Sequence, residues 1–251
     1  MLSRSTSTPM MRCDLALVER GLARSRSHAR QLIESDQVRI EGIPLVKPST
    51  PVGPEAVIDV RQDPYVSRAA HKLIHALDAC RITVSGRVLD AGASTGGFTQ
   101  VLLERGATVV YAVDVGHDQM AEVIRQDPRV VVEEGVNLRD LTLDHVGGEP
   151  VDLVVADVSF ISLRLILDRL FSVLEEDGYA LVLVKPQFEV GRSALDSHGV
   201  VTDGRTRLYA VESVVARARE LGWSLAWSAP SALTGEKGNQ EVFCLFVKAS
   251  S

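Results

Sequence analysis

The chain has 251 residues, 45% of them hydrophobic, with 27 Lys and Arg against 33 Asp and Glu for a formal net charge of −6. That length suits one domain of ordinary size plus a small module and is too short for three domains. No stretch approaches the ~20 continuous apolar residues of a membrane span, and Cys13, Cys80 and Cys244 are odd in number and far apart, which argues against a disulfide framework or a zinc site and fits a reducing cytoplasm. No metal is expected, and the expected location is cytoplasmic.

The N-terminus is rich in Ser and Thr and lacks the apolar core of a secretory signal, so residues 1–10 read as a disordered tail. Next, Leu15, Leu17, Val18 and Leu22 recur at helical spacing, with a stop at Gly21-Leu22. Ser25 or Ser27 is placed to cap a second helix over 27–35, with Ala29, Leu32 and Ile33 inward. Residues 37–40 read as a strand, Glu41-Gly42 as a tight turn, 43–46 as its return and 57–60 as the strand that closes a small sheet. A first, α+β module therefore spans 11–61. Gln62-Asp63-Pro64 marks a break inside a linker over 62–66, and a second domain covers 67–251.

In that second domain a helix over 67–79 is followed by apolar runs at 87–91, 108–113, 130–133, 151–156, 179–184, 224–227 and 242–247. Helical stretches at 97–105, 119–126, 163–174 and 205–221 separate them. Seven strands alternating with helices predict an α/β, Rossmann-like, doubly wound sheet covered on both faces.

Gly92-Ala93-Ser94-Thr95-Gly96-Gly97-Phe98 joins the first of these strands to its helix. Small residues there let the backbone approach a ligand at the carboxyl end of the strand. A dinucleotide loop would carry a second glycine where Ser94 stands, and a Walker lysine is absent, so the loop favours a nucleoside cofactor without a diphosphate. Asp114, followed by Val115, ends the second strand about twenty positions on, where an acidic residue accepts from ribose hydroxyls. Loop and Asp114 together indicate S-adenosylmethionine (AdoMet). Asn137 is placed for the adenine edge or, equally, for forming a turn.

Asp157 follows the fourth strand and Lys185 the fifth, at the sheet edge where ligands bind. A lysine ending a run as apolar as 180–184 needs a partner or a function, unless it snorkels at the rim. Lys72 and Glu241 seen alone are ordinary charges. Charge is unevenly spread: residues 1–72 hold 11 Lys and Arg against 8 Asp and Glu, the remainder 16 against 25. A basic head on an acidic body places polyanion affinity at one end. Arg24, Arg26 and Arg30 at the second helix, with Arg20 nearby, form the candidate RNA surface, extended by Arg12, Arg39 and Lys47 and, in the second domain, by Arg68. The plainer alternative is a solvated helix face.

Five segments occur in an order that resembles the TlyA family, haemolysin-like proteins and ribosomal RNA ribose methyltransferases, over residues 11–248. They are Val66-Ser67-Arg68-Ala69-Ala70-His71-Lys72-Leu73, the loop 90–98, Ala156-Asp157-Val158-Ser159-Phe160-Ile161-Ser162-Leu163, Val184-Lys185-Pro186-Gln187-Phe188-Glu189 and Gly238-Asn239-Gln240-Glu241-Val242-Phe243. The resemblance implies a ribosomal S-four-type RNA-binding module joined to an FtsJ-like methyltransferase domain. It also implies a catalytic tetrad of Lys72, Asp157, Lys185 and Glu241, with Asp157 bordering the cofactor as well. In this expectation Asp157 and Glu241 orient Lys185, and Lys72 balances their charge. The implied reaction is methyl transfer from AdoMet to a ribose 2′-OH of ribosomal RNA or ribosomal subunits, at cytidine in the small or large subunit or both. The alternatives are an AdoMet enzyme with a non-RNA substrate and a membrane-active protein. Against the latter, no amphipathic segment with a basic face stands out. An NAD-linked oxidoreductase is disfavoured by Ser94.

Overall fold

A computed structural model describes residues 10–34, 37–45, 47–60, 63–235 and 237–249, without the side chain of Gln31. Residues 1–9 of the expected tail over 1–10, the helix end at Ser35, the strand end at Val46 and linker residue Gln62 lie outside the described residues. The chain divides into two compact units, Met1–Pro64 and Tyr65–Ser251.

The first unit runs β1 (Met11–Arg12), α1 (Cys13–Glu19), α2 (Arg26–Glu34), β2 (Val38–Ile40), β3 (Ile43–Pro44), β4 (Pro51–Val52) and β5 (Ile58–Val60). Ser25, not Ser27, starts α2: its Oγ accepts from the His28 N–H at 3.2 Å. Strands β3, β2 and β5 form an antiparallel sheet with β2 central, and β1 pairs with β4. Cys13, Leu17, Ala29, Leu32, Ile33, Val38, Leu45 and Val52 close one small core. The two-residue strands β1 and β4 are too short for any periodic signal, and the sequence reading misses them.

The second unit begins with α3 (Ala69–Cys80). It continues β6 (Arg87–Ala91), α4 (Gly97–Arg105), β7 (Val109–Asp114), α5 (Glu122–Arg125), β8 (Val130–Glu134) and β9 (Val151–Ala156). It closes with α6 (Leu167–Ser172), β10 (Leu174–Val184), α7 (Pro186–Glu189), α8 (Gly204–Glu220), β11 (Trp223–Pro230) and β12 (Val242–Lys248). The seven strands lie in the order β11-β12-β10-β9-β6-β7-β8. All neighbours are parallel except β12, which runs antiparallel to β10 and β11. Alternation along β10 explains why its run is apolar throughout. Val182 and Val184 enter the core under α6 and α8, whereas Leu181 and Leu183 enter the core under α3 and α4. Strand order reverses between β6 and β9, so a crevice opens at the carboxyl ends of those two strands.

Two expected helices are shorter than their patterns. The 119–126 stretch is helical only from Glu122, because Ala121 is extended and donates its N–H to Thr95 O at 3.2 Å. The 163–174 stretch is a 3-10 turn, Leu163–Leu165, then α6; by Leu174 the chain has joined β10 opposite Val151.

Candidate active site

The loop after β6 is shaped by close backbone approach. Gly92 has φ +86°, and a Cβ there would stand 2.8 Å from Asp157 O. A Cβ on Gly97 would lie 2.8 Å from the Cβ of Ser67, just before α3, so glycine lets α4 begin against that segment. Ser94 also takes a positive φ of 48°, and Gly96 caps α4 at φ +91°. Thr95 O holds the Ala121 segment against the loop. Ala93 and Phe98 are buried. The Phe98 ring stacks on Phe243 with centroids 6.3 Å apart, so it backs the loop from the core.

Asp114 reaches back to this loop. Its carboxylate accepts from Ser94 N–H at 2.8 Å and Gly116 N–H at 2.7 Å. Val115 beside it is exposed. Asn137 is exposed and accepts from Arg139 N–H at 3.1 Å, capping the 3-10 turn Leu138–Asp140, as the turn-forming alternative requires.

Asp90, at the foot of the loop, is fully buried. Its Oδ2 accepts from Thr99 Oγ1 at 2.6 Å, and its Oδ1 has no partner among the described residues. Burial pushes the carboxyl up to about 7, against the Thr99 hydrogen bond and with help from the charges of Asp157 and Asp114. The loop and the start of α4, residues 90–104, contain no Lys or Arg. An orphaned buried acid oxygen, a second carboxylate and a cation-free loop fit a nucleoside bearing positive charge, which AdoMet is, and do not fit a diphosphate.

The tetrad forms two ion pairs rather than one cluster about Lys185. Lys72 on α3 donates to Glu241 Oε2 at 2.6 Å, and both side chains are buried. Lys185 Nζ meets Asp157 Oδ1 at 2.6 Å, outside hydrogen-bond alignment, and donates to Ser159 Oγ at 2.9 Å. The expectation that Glu241 orients Lys185 is therefore corrected: its carboxylate is committed to Lys72. The two pairs are joined through the backbone. Val184 pairs with Val242, which sets Lys185 and Glu241 one step beyond the last rung of the β10–β12 ladder.

Three further residues shape the site without having been assigned roles from sequence. Glu189 is a buried carboxylate that accepts from Ser162 Oγ at 2.5 Å and Leu163 N–H at 2.7 Å, tying the loop after β9 to α7. Asn239 is buried, accepts from Val201 N–H at 2.9 Å and donates to Gly199 O at 3.1 Å, fixing the segment that delivers Glu241. Phe160 is 91% exposed in a left-handed conformation, φ 65°, with its ring 5.3 Å from that of Phe188. Glu189 and Asn239 lie inside the quoted segments. A buried acid and a buried amide there were the available signal.

Among the candidate RNA-binding residues, three donate to backbone carbonyls. Arg20 donates to the carbonyls of Ala56, Gly53 and Pro54, the first two at 2.5 and 2.8 Å. Arg39 donates to Gly42 O at 3.2 Å. Arg12, Arg26 and Arg30 surround Asp14. Arg24 and Lys47 are exposed, and Arg68 donates to Thr234 O at 3.2 Å. Among the described residues no group of acidic, His and Cys side chains is arranged to hold a metal, and no helix is long and apolar enough to cross a membrane.

Comparison with known proteins agrees with this geometry. The FtsJ-like methyltransferase family matches residues 65–248, and the S4 domain matches residues 11–58. The chain is 52% identical over 236 residues to the 16S/23S rRNA (cytidine-2′-O)-methyltransferase TlyA of Mycobacterium tuberculosis, covering 92% of this chain and 88% of that protein. It is 35% identical to Hemolysin A of Brachyspira hyodysenteriae, covering 94% of this chain and 100% of that one. A solved structure of a hemolysin-named protein from Streptococcus thermophilus superposes with a TM-score of 0.75 at 34% identity, covering 98% of this chain and 90% of the other.

Proposed function

The chain belongs to the TlyA family, an S4 domain followed by an FtsJ-like methyltransferase domain, and from that premise we propose that it methylates a ribose 2′-OH of ribosomal RNA, at cytidine, using AdoMet. The observation that carries the mechanism is Lys185, held by Asp157 and Ser159 at the carboxyl edge of the sheet.

Asp90, the 92–97 backbone and Asp114 would hold AdoMet, which when bound supplies an electrophilic methyl group on a sulfonium. Lys185 then contacts the attacking 2′ oxygen. One donor direction of its ammonium is spent on Ser159, and Asp157 Oδ1 stands 2.6 Å away as counterion, so the group is held at this position. Its hydrogen bond would turn a lone pair of the hydroxyl toward the bound methyl donor and stabilise negative charge on the oxygen while the hydroxyl proton passes to solvent water. Alignment of this kind supplies about 7–11 kcal/mol of a barrier. Glu189 keeps the Asp157 and Lys185 loops in register, and Lys72 with Glu241 braces β12 against α3. Phe160, exposed three residues beyond the ion-paired Asp157 and next to Ser159, offers a ring face to a base drawn out of its stack.

Incubation with labelled AdoMet and purified ribosomal subunits, followed by mapping of ribose-methylated positions, tests the reading. A 2′-O-methylcytidine is expected; label on a base, or on protein alone, overturns it. Lys185→Ala is expected to lower kcat by at least a thousandfold with AdoMet affinity within about twofold, measured by calorimetry.

A further inference from the structure

Asp14 is the one acidic side chain of the first unit that is fully buried, among the described residues. It stands in the first turn of α1, among arginines read as the RNA surface, where a negative charge would be a fault. Three arginines from two elements converge on it. Arg12, from β1, grips it through Nε at 3.0 Å and Nη2 at 2.9 Å. Arg26, from α2, donates to its Oδ2 at 3.4 Å, and Arg30, one turn further along α2, brings Nε to 3.7 Å of the same oxygen. The arginines themselves remain open to solvent, at 44%, 53% and 53% of their side chains.

We propose that Asp14 is a positioning residue for RNA binding, a buried carboxylate that gathers Arg12, Arg26 and Arg30 into one preset phosphate-binding triad. The proposal rests on the RNA-substrate reading above and names where its phosphates sit. One negative charge against three positive leaves the triad net cationic. Each guanidinium has five donors in a rigid fork; Arg12 spends two on Asp14, Arg26 one and Arg30 none, so the others stay available to phosphate oxygens. Three long side chains that would otherwise lose rotamer freedom on binding are ordered in advance. The same grip holds the carboxyl down to about 2, chiefly through the Arg12 hydrogen bonds, so the anchor stays ionised wherever the protein is folded.

The sign of the effect separates this role from plain electrostatics. Removing a negative charge from a polyanion-binding surface should tighten binding. Glu19→Gln, at the exposed end of the same helix, is expected to do so slightly. Asp14→Asn is expected to weaken binding of fluorescently labelled protein to purified ribosomal subunits by about tenfold, through loss of preorganisation. A folding defect is distinguished by a cycle. In a background of Arg12→Gln, Arg26→Gln and Arg30→Gln, adding Asp14→Asn is expected to change affinity less than twofold, whereas a merely structural role gives the full loss again. Tighter binding by Asp14→Asn, or a full further loss in the triple background, overturns the proposal and leaves the RNA reading standing. Absence of any subunit binding by the unaltered protein overturns both.

Discussion

A charge buried beside its counterion is a liability that becomes visible when one partner is removed. Lys72 and Glu241 are such a pair, and breaking it leaves an uncompensated buried ion at a cost of about 3–5 kcal/mol. Glu241→Ala is therefore expected to lower the melting temperature by many degrees. The double variant Lys72→Met with Glu241→Leu is expected to recover most of that loss by apolar packing, yet not methylation, which a filter assay with labelled AdoMet reads. Recovery of activity along with stability would reduce the pair to a brace that any filling can replace. Asp90 behaves in the opposite sense. Its folded value of about 7 lies above its unfolded value of 3.8, so the native state keeps a proton that the unfolded chain releases. The contribution of Asp90 to stability is complete below pH 3.8 and is lost as pH rises to about 7, on the order of a few kcal/mol. Against that background Asp90→Asn is expected to melt close to the unaltered protein at pH 5 and clearly above it at pH 8. An equal difference at both pH values would show that Asp90 ionises normally.

At the scale of elements, the meeting of α3 and α4 is set by one missing methyl group. Gly97→Ala places a Cβ 2.8 Å from the Cβ of Ser67, and two such atoms fixed to backbone yield only if the chain moves. Because Lys72 rides on α3, we expect kcat to fall by about a hundredfold, the usual result of displacing a site by an ångström. Ser67→Gly added to it is expected to restore activity, since the next neighbour, Ala70 N at 3.3 Å, needs to give only slightly. The elements themselves were largely legible. Runs as apolar as 180–184 belong to strands covered on both faces, and the small residues of the loop 92–97 announced the close backbone approach found at Gly92 and Gly97. What the sequence could not state was how charges divide. Nothing in the spacing of Lys72, Asp157, Lys185 and Glu241 tells that they meet as two pairs, because that depends on β12 running antiparallel into the sheet beside β10. Short features were equally hidden: β1 and β4 carry two residues each, and Ala121 leaves the helical path for a single hydrogen bond to Thr95. Arg20 and Arg39 show the same limit, because an arginine that ties down loop carbonyls has the same sequence signature as one that waits for phosphate.

At the scale of the whole molecule, each unit has its own core, so loss of the first should disarm the second without unfolding it. A chain lacking residues 1–60 is expected to bind AdoMet with near-normal affinity and to methylate ribosomal subunits at a small fraction of the normal rate. In the intact protein the affinity for subunits should fall steeply with salt, and the slope should lessen by about one for each phosphate-bound arginine removed. A flat salt profile would count against the first unit as the docking element. One last consequence lies in the ion pair that spans the second unit. Lys72 and Glu241 are separated by 169 positions, and Glu241 immediately precedes the final strand. During biosynthesis the ribosome must therefore release the 169 residues that follow Lys72 before α3 acquires its counterion. A chain made only that far thus holds Lys72 without its carboxylate, and the buried pair can form only after Glu241 has emerged.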